Sequence, residues 1–235
     1  MPYAKKHHRK FGKRKRTVSK AVKRYVKKEI RQAPEVKYTE LTTIGPGANV
    51  TGSGAVYSFS GYPTQGTSVG GRIGDKIMIK SVYMNMLLEG SQCVTLASYY
   101  PTVQVRVIVG LWKKTTGGVG LPTIAQVLDM GVATGMNAIY QNDYRSEWTK
   151  LMDKTVTLSS SLGAVGATQL TGVSSNARVI RKTFRINKPM LFINNGGAVT
   201  GCLTNIPFLI VLSNTPGGVT YPTCYTYSRI HYTDM

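Results

Sequence analysis

The sequence predicts an all-β sandwich behind a basic arm, on three observations. First, charge is segregated: residues 1–31 carry fourteen Lys and Arg against one acid, Glu29, a balance of +13. The other 204 residues carry sixteen basic and nine acidic residues. Second, after Pro34, β-branched and aromatic runs alternate with Gly, Pro and Asn clusters. Third, helical periodicity is nearly absent from this body. Eight or nine short strands suit two packed sheets, and the natural layout for eight is a jelly roll. The expected organisation is a basic arm over 1–33 and a single eight-stranded jelly-roll domain over 34–235, with one short helix in a loop.

In the arm, Lys5–Arg16 reads KKHHRKFGKRKR. Charges this dense repel, and only Phe11 could seed a core, so the segment is expected to be disordered. From Thr17, Val18, Ala21, Val22, Tyr25, Val26 and Ile30 fall at three- and four-residue spacing. Lys20, Lys23, Arg24, Lys27 and Lys28 fill the opposite side, which predicts a short amphipathic helix ended before Pro34.

The body's first strand is read as Tyr38–Ile44, stopped by Gly45-Pro46-Gly47, and the second as Ala55–Ser60. A Gly/Ser/Thr/Pro loop over 62–74 leads into Lys76–Leu88. Thr102–Trp112 is the clearest strand, with Val103, Val105, Val107 and Val109 on one face. Pro122–Met130 changes period: Ile124, Val127 and Leu128 fit one helical turn with Thr123 as its cap. Trp148–Leu158, Ala177–Asn187, Leu191–Asn194, Phe208–Ser213 and Thr223–Thr233 complete the strands.

Several functional classes are excluded. The longest apolar run, Ile206–Leu212, contains Pro207 and falls far short of the roughly 20 residues a membrane span needs. The charged N-terminus has no apolar stretch behind it and does not read as a secretory signal. Cys93, Cys202 and Cys224 are odd in number with no CxxC, which argues against a disulfide framework or a zinc site. Buried reduced thiols, and with them an intracellular chain, are the expectation. No phosphate loop, dinucleotide fingerprint or HExxH is present. His231 is the body's one histidine, and no Ser lies in a G-x-S-x-G turn. A strand histidine held by neighbours is the expected reading, so no catalytic residue, metal ligand or cofactor is assigned and the chain is not read as an enzyme. Asn49-Val50-Thr51 matches a glycosylation acceptor, a common pattern given no weight here.

The residues that do point to chemistry are basic. Lys5, Lys6, Arg9, Lys10, Lys13, Arg14, Lys15, Arg16, Lys20, Lys23, Arg24, Lys27, Lys28 and Arg31 form a candidate nucleic-acid-binding arm. Each neutralised phosphate releases condensed counterions, so such an arm binds strongly, without base preference and with steep salt dependence. A solvated tail kept for solubility is one rival. An anionic membrane surface is another, although the apolar stripe lacks the Trp, Phe and Leu of interfacial helices. The same Lys/Arg cluster reads as a nuclear-localisation signal, which makes the nuclear import machinery a partner. His7 and His8 add cationic contacts rather than a coordination sphere. Arg178, Arg181, Lys182, Arg185 and Lys188 form a second cluster. Arg181 and Arg185 share one sheet face and Lys182 takes the other. That cluster is either a solvated outer face or a surface met by nucleic acid. In Arg72-Ile73-Gly74-Asp75-Lys76, Gly74 suits a turn into the strand and Asp75 can pair with Arg72 or Lys76; a subunit contact is the alternative. Fourteen tyrosines in a low-charge body suit interfaces.

Four segments carry a family resemblance. Gln65-Gly66-Thr67 with Arg72-Ile73-Gly74-Asp75-Lys76-Ile77-Met78-Ile79-Lys80-Ser81-Val82 is similar to a QGT…R-x-G-[ND]-K-I-x-x-K-S-[IV] pattern. Leu121-Pro122-Thr123-Ile124 with Val127-Leu128 resembles a proline-led helix following a strand. Arg145 and Trp148–Leu158 resemble an R-x(2,3)-[YFW]-x-[IV]-L-x-D-K-x-x-x-L strand, with Met152 where many relatives have Tyr. Lys182-Thr183-Phe184-Arg185-Ile186-Asn187-Lys188 resembles the basic strand after it. Together, in this order, these segments resemble the capsid proteins of circular Rep-encoding single-stranded DNA viruses, which are similar to the satellite tobacco necrosis virus coat. The resemblance implies a structural role: about sixty copies of one jelly roll closing a T=1 icosahedral shell. It implies an arm pointing inward onto a packaged single-stranded genome, DNA favoured, and a chain found in the virion and in the host nucleus during assembly. Arg181, Lys182 and Arg185 would be inner-surface contacts. At +20 each, the copies would bring roughly 1,200 positive charges, the scale of a small genome's phosphates. The coat of an RNA satellite virus fits the same fold and arm. A cellular nucleic-acid-binding protein is the remaining alternative.

Overall fold

The computed structural model describes residues 19–20, 22–24, 35–59, 61–67, 71–93, 101–113, 120–129, 136–162, 176–217 and 219–235. The chain divides into two compact units, Met1–Pro34 and Glu35–Met235. In the first, Lys20, Val22, Lys23 and Arg24 are helical. Ser19 caps them: its Oγ accepts from the Val22 amide at 3.3 Å and its carbonyl from the Lys23 amide at 3.0 Å. A hydroxyl at this position satisfies a backbone donor that the first turn leaves without a partner. The other arm expectations, disorder over 5–16 included, lie outside the described residues.

The second unit is mostly strand, built from two antiparallel four-stranded sheets and one short parallel pair. The strands are β1 (Lys37–Asn49), β2 (Ala55–Ser58), β3 (Lys76–Glu89), β4 (Gln92–Cys93), β5 (Thr102–Trp112), β6 (Trp148–Ser159), β7 (Ser161–Leu162), β8 (Ala177–Leu191), β9 (Ile206–Ser213) and β10 (Thr223–Asp234). One sheet runs β1-β10-β3-β8 and the other β2-β9-β5-β6. The parallel pair, β4 with β7, was not foreseen from sequence. Among the described residues no helix is long and apolar enough to cross a membrane.

The alternation read from sequence governs which side chains enter the core. Val82, Met84, Met86 and Leu88 of β3 face inward, as do Cys224, Thr226, Ser228 and Ile230 of β10. Val103, Val105, Val107 and Val109 are buried, as predicted, in one core that draws on both sheets. Burying each such side chain contributes about 1.5–3 kcal/mol. Gly110 sits where no side chain fits, since a Cβ there would lie 2.3 Å from the Phe208 ring. The ring of Phe208 packs edge-on against Trp148, with centroids 5.8 Å apart.

Two boundaries differ from the expectation. Gly45-Pro46-Gly47 does not end β1; it lies within irregularities of the β1–β10 pairing, which resumes at Ala48. Ala177–Asn187 and Leu191 belong to one strand. Asn187 takes φ 49°, a conformation Asn tolerates, and pairing with β3 continues beyond it to Leu191. Pro189 is accommodated because β8 is an edge strand. The predicted helical turn forms as α1 (Ile124–Val127), capped by Thr123. Thr123 Oγ1 accepts from the Gln126 amide, and Gln126 Oε1 accepts from the Thr123 amide.

Candidate nucleic-acid interface

The outer face of the β1-β10-β3-β8 sheet follows from strand register. Arg185 pairs with Ser81, Ser81 with His231, and His231 with Tyr38. The next row is Thr183, Tyr83, Arg229 and Glu40; the next is Arg181, Asn85, Tyr227 and Thr42. Val179, Leu87 and Tyr225 form a fourth. Paired residues on one face lie close enough for their side chains to interact. Two arginines thus stand at the edge of a surface that carries four tyrosines.

Charge on this face is partly neutralised. Arg229 forms an ion pair with Glu40, and its guanidinium lies 5.1 Å from the Tyr38 ring centroid. A hydrogen bond from the Tyr227 hydroxyl, then the Arg229 charge, holds the Glu40 carboxyl below its ordinary range despite an opposing desolvation effect. His231 lies with Nδ1 3.2 Å from Ser81 Oγ and its ring 6.3 Å from that of Tyr38. Burial, then the Arg229 charge, pushes its pKa down, so the ring is neutral at neutral pH. The expected strand histidine held by neighbours is what the structure contains.

Arg181 and Arg185 are exposed, and among the described residues no carboxylate pairs with either. Arg181 Nε reaches Asn85 Oδ1 at 3.4 Å. Lys182 is separated from them: it is in register with core-facing Met84 and is exposed on an edge strand. Cations on an edge strand oppose pairing with a further strand. Of the arm's candidate residues, Lys20, Lys23 and Arg24 are described, and all three are exposed. The other eleven lie outside the described residues.

The remaining motif residues have structural positions. Arg72 is fully buried, with its guanidinium 4.2 Å from the Phe192 ring centroid. It donates to the carbonyls of Gly74 and Asn194 and pairs with Asp75 at 3.3 Å. It therefore ties the entry of β3 to the stretch after β8. Asp153 accepts from Arg106 at 3.1 and 2.8 Å and from the Tyr140 hydroxyl. Burial raises the Asp153 carboxyl, but the bonds from Arg106 and Tyr140 outweigh it and the net shift is downward. Cys202 and Cys224 are buried free thiols, pushed up to about 12 by burial. No group of three His, Cys, Asp or Glu that could hold a metal occurs among the described residues. A cleft of about 340 Å³ between Asn49, Glu89, Ser91 and Tyr221 has one carboxylate, Glu89, which Thr223 Oγ1 approaches at 3.4 Å.

Sequence reasoning found Arg181 and Arg185 but missed Tyr38, Tyr83, Tyr225, Tyr227, Arg229 and His231 as their neighbours. A signal was present in Tyr225, Tyr227, Arg229 and His231, which alternate along one strand. No protein-family model and no curated protein matches the chain.

Proposed function

We propose that this chain is a viral coat protein that self-assembles into a small icosahedral shell and packages a single-stranded genome through its basic arm. The charge segregation carries the reading: +13 within residues 1–31, joined to a body with few charges. A disperse basic surface would suit a cellular nucleic-acid-binding protein; a tethered cationic segment suits a container that holds a polyanion on one side of its wall. The body supports the same reading. Its two antiparallel four-stranded sheets suit a jelly roll, a double-sheet fold of eight strands that serves in viral capsids. Fold alone does not assign function; here it is joined by the arm and the order of four motif segments. Arm contacts go to phosphates, so they position the genome without reading it. DNA is the favoured genome, on the motif resemblance alone. The nuclear-import reading of the arm accords with assembly in a host nucleus.

Negative-stain imaging of the purified full chain tests this reading. Closed isometric shells of uniform diameter are expected, with nuclease sensitivity of the extracted contents identifying DNA or RNA. A chain that stays monomeric in every salt and with added nucleic acid contradicts it.

A further inference from the structure

We infer that the outer face of the β1-β10-β3-β8 sheet is a stacking surface for the unpaired bases of a single-stranded nucleic acid, with Arg181 and Arg185 meeting its phosphates. This rests on the genome-binding reading and adds a second element to it: a site on the body that prefers unpaired strands. The arm offers few aromatics, Tyr3, Phe11 and Tyr25. The sheet supplies Tyr38, Tyr83, Tyr225 and Tyr227 on one face. Tyr38 is 53% exposed and the other three are half-buried, so part of each side chain stays open to a ligand.

Spacing favours an unstacked strand. Tyr225 and Tyr227 stand two residues apart on β10, about 6.8 Å along it. A stretched single strand can match that interval, whereas bases in a duplex rise only about 3.4 Å. Base–aromatic stacking tolerates any sequence, because every base has a π-face. Charge complements it. Glu40 is the one acid among the residues of these four rows, and Arg229 neutralises it, which leaves Arg181 and Arg185 as uncompensated cations at the margin. An acidic protein partner would be served by the arginines but gives no role to the tyrosine spacing.

The test uses the full chain and an oligothymidylate carrying 5-iodouracil, irradiated at an ionic strength where the arm's contribution has fallen away. Crosslinks are expected at Tyr38, Tyr83, Tyr225 or Tyr227. Tyr38→Ala with Tyr225→Ala, checked for unchanged thermal unfolding, is expected to lower oligothymidylate affinity about tenfold per lost stack and leave duplex affinity unchanged. Crosslinks confined to the arm overturn the inference and leave the genome-binding reading standing. An equal affinity loss for duplex overturns it as well. If the full chain binds neither form even at low salt, both readings fail together.

Discussion

The two four-stranded sheets treat their outer faces in opposite ways. On the β2-β9-β5-β6 sheet the chain covers its own surface. Every residue of β9 is buried, and Arg106, Ile108, Gly110 and Trp112 of β5 are buried too. Arg106 donates to the carbonyls of Met136 and Ala138 and is clamped by Asp153, fastening the stretch after α1 to this face. Tyr140 packs edge-on against Trp148 at 5.2 Å. On the β1-β10-β3-β8 sheet the side chains of the four outward rows are half-buried or exposed. Arginine has a different task on each. Arg106 has its charge compensated and serves stability; Arg181 and Arg185 have theirs uncompensated and are available to a partner.

That contrast can be broken most severely at Arg106. Arg106→Met leaves Asp153 without its cation and frees the covering stretch, and should cost about 3 kcal/mol. Urea unfolding measures it, and a cost below about 1 kcal/mol would show that the clamp is not what holds the cover. Gly110→Ala, four residues along the same strand, should cost about 1–3 kcal/mol, because its methyl meets the Phe208 ring. A shifted urea midpoint with an unchanged slope is the expected signature.

Acid separates the clamped arginine's sheet from the open one. The Asp153 carboxyl is held below its ordinary value, so its contribution to stability is complete above about pH 4. It is lost as pH falls through the lower, folded-state value. In Arg106→Met the bonds from the arginine are gone and burial remains, so the folded-state carboxyl rises, and the variant loses less stability than the parent as pH falls below about 4. Urea midpoints recorded between about pH 6 and pH 2 separate the two curves. Arg181→Gln with Arg185→Gln should have the smallest effect on folding, within about 0.5 kcal/mol. Its effect belongs to binding: the salt slope for single-stranded nucleic acid should fall by about 1.4. An unchanged slope would remove both arginines from the interface.

Much of this was legible in the chain. Period-two alternation located the long strands, Thr102–Trp112 to the residue, because a sheet with one buried face imposes that pattern. The Thr123 cap could be read because its chemistry is local. Partners distant in sequence could not. Nothing in the sequence says that Arg106 meets Asp153 or that Arg229 meets Glu40, since those meetings depend on strand order. The continuation of β8 past Asn187 was hidden because one residue in a left-handed conformation looks like an ending. The tyrosine face needed register, which alternation alone does not supply.

In the proposed function the arm holds a genome inside a shell built by the body. Its most direct test compares the nucleic-acid content of particles purified from the full chain and from a chain lacking residues 1–31. Isometric shells are expected from both, with nuclease-sensitive contents in the full-chain particles and little in the truncated ones. Equal contents in the two, or no particles from either, would contradict it.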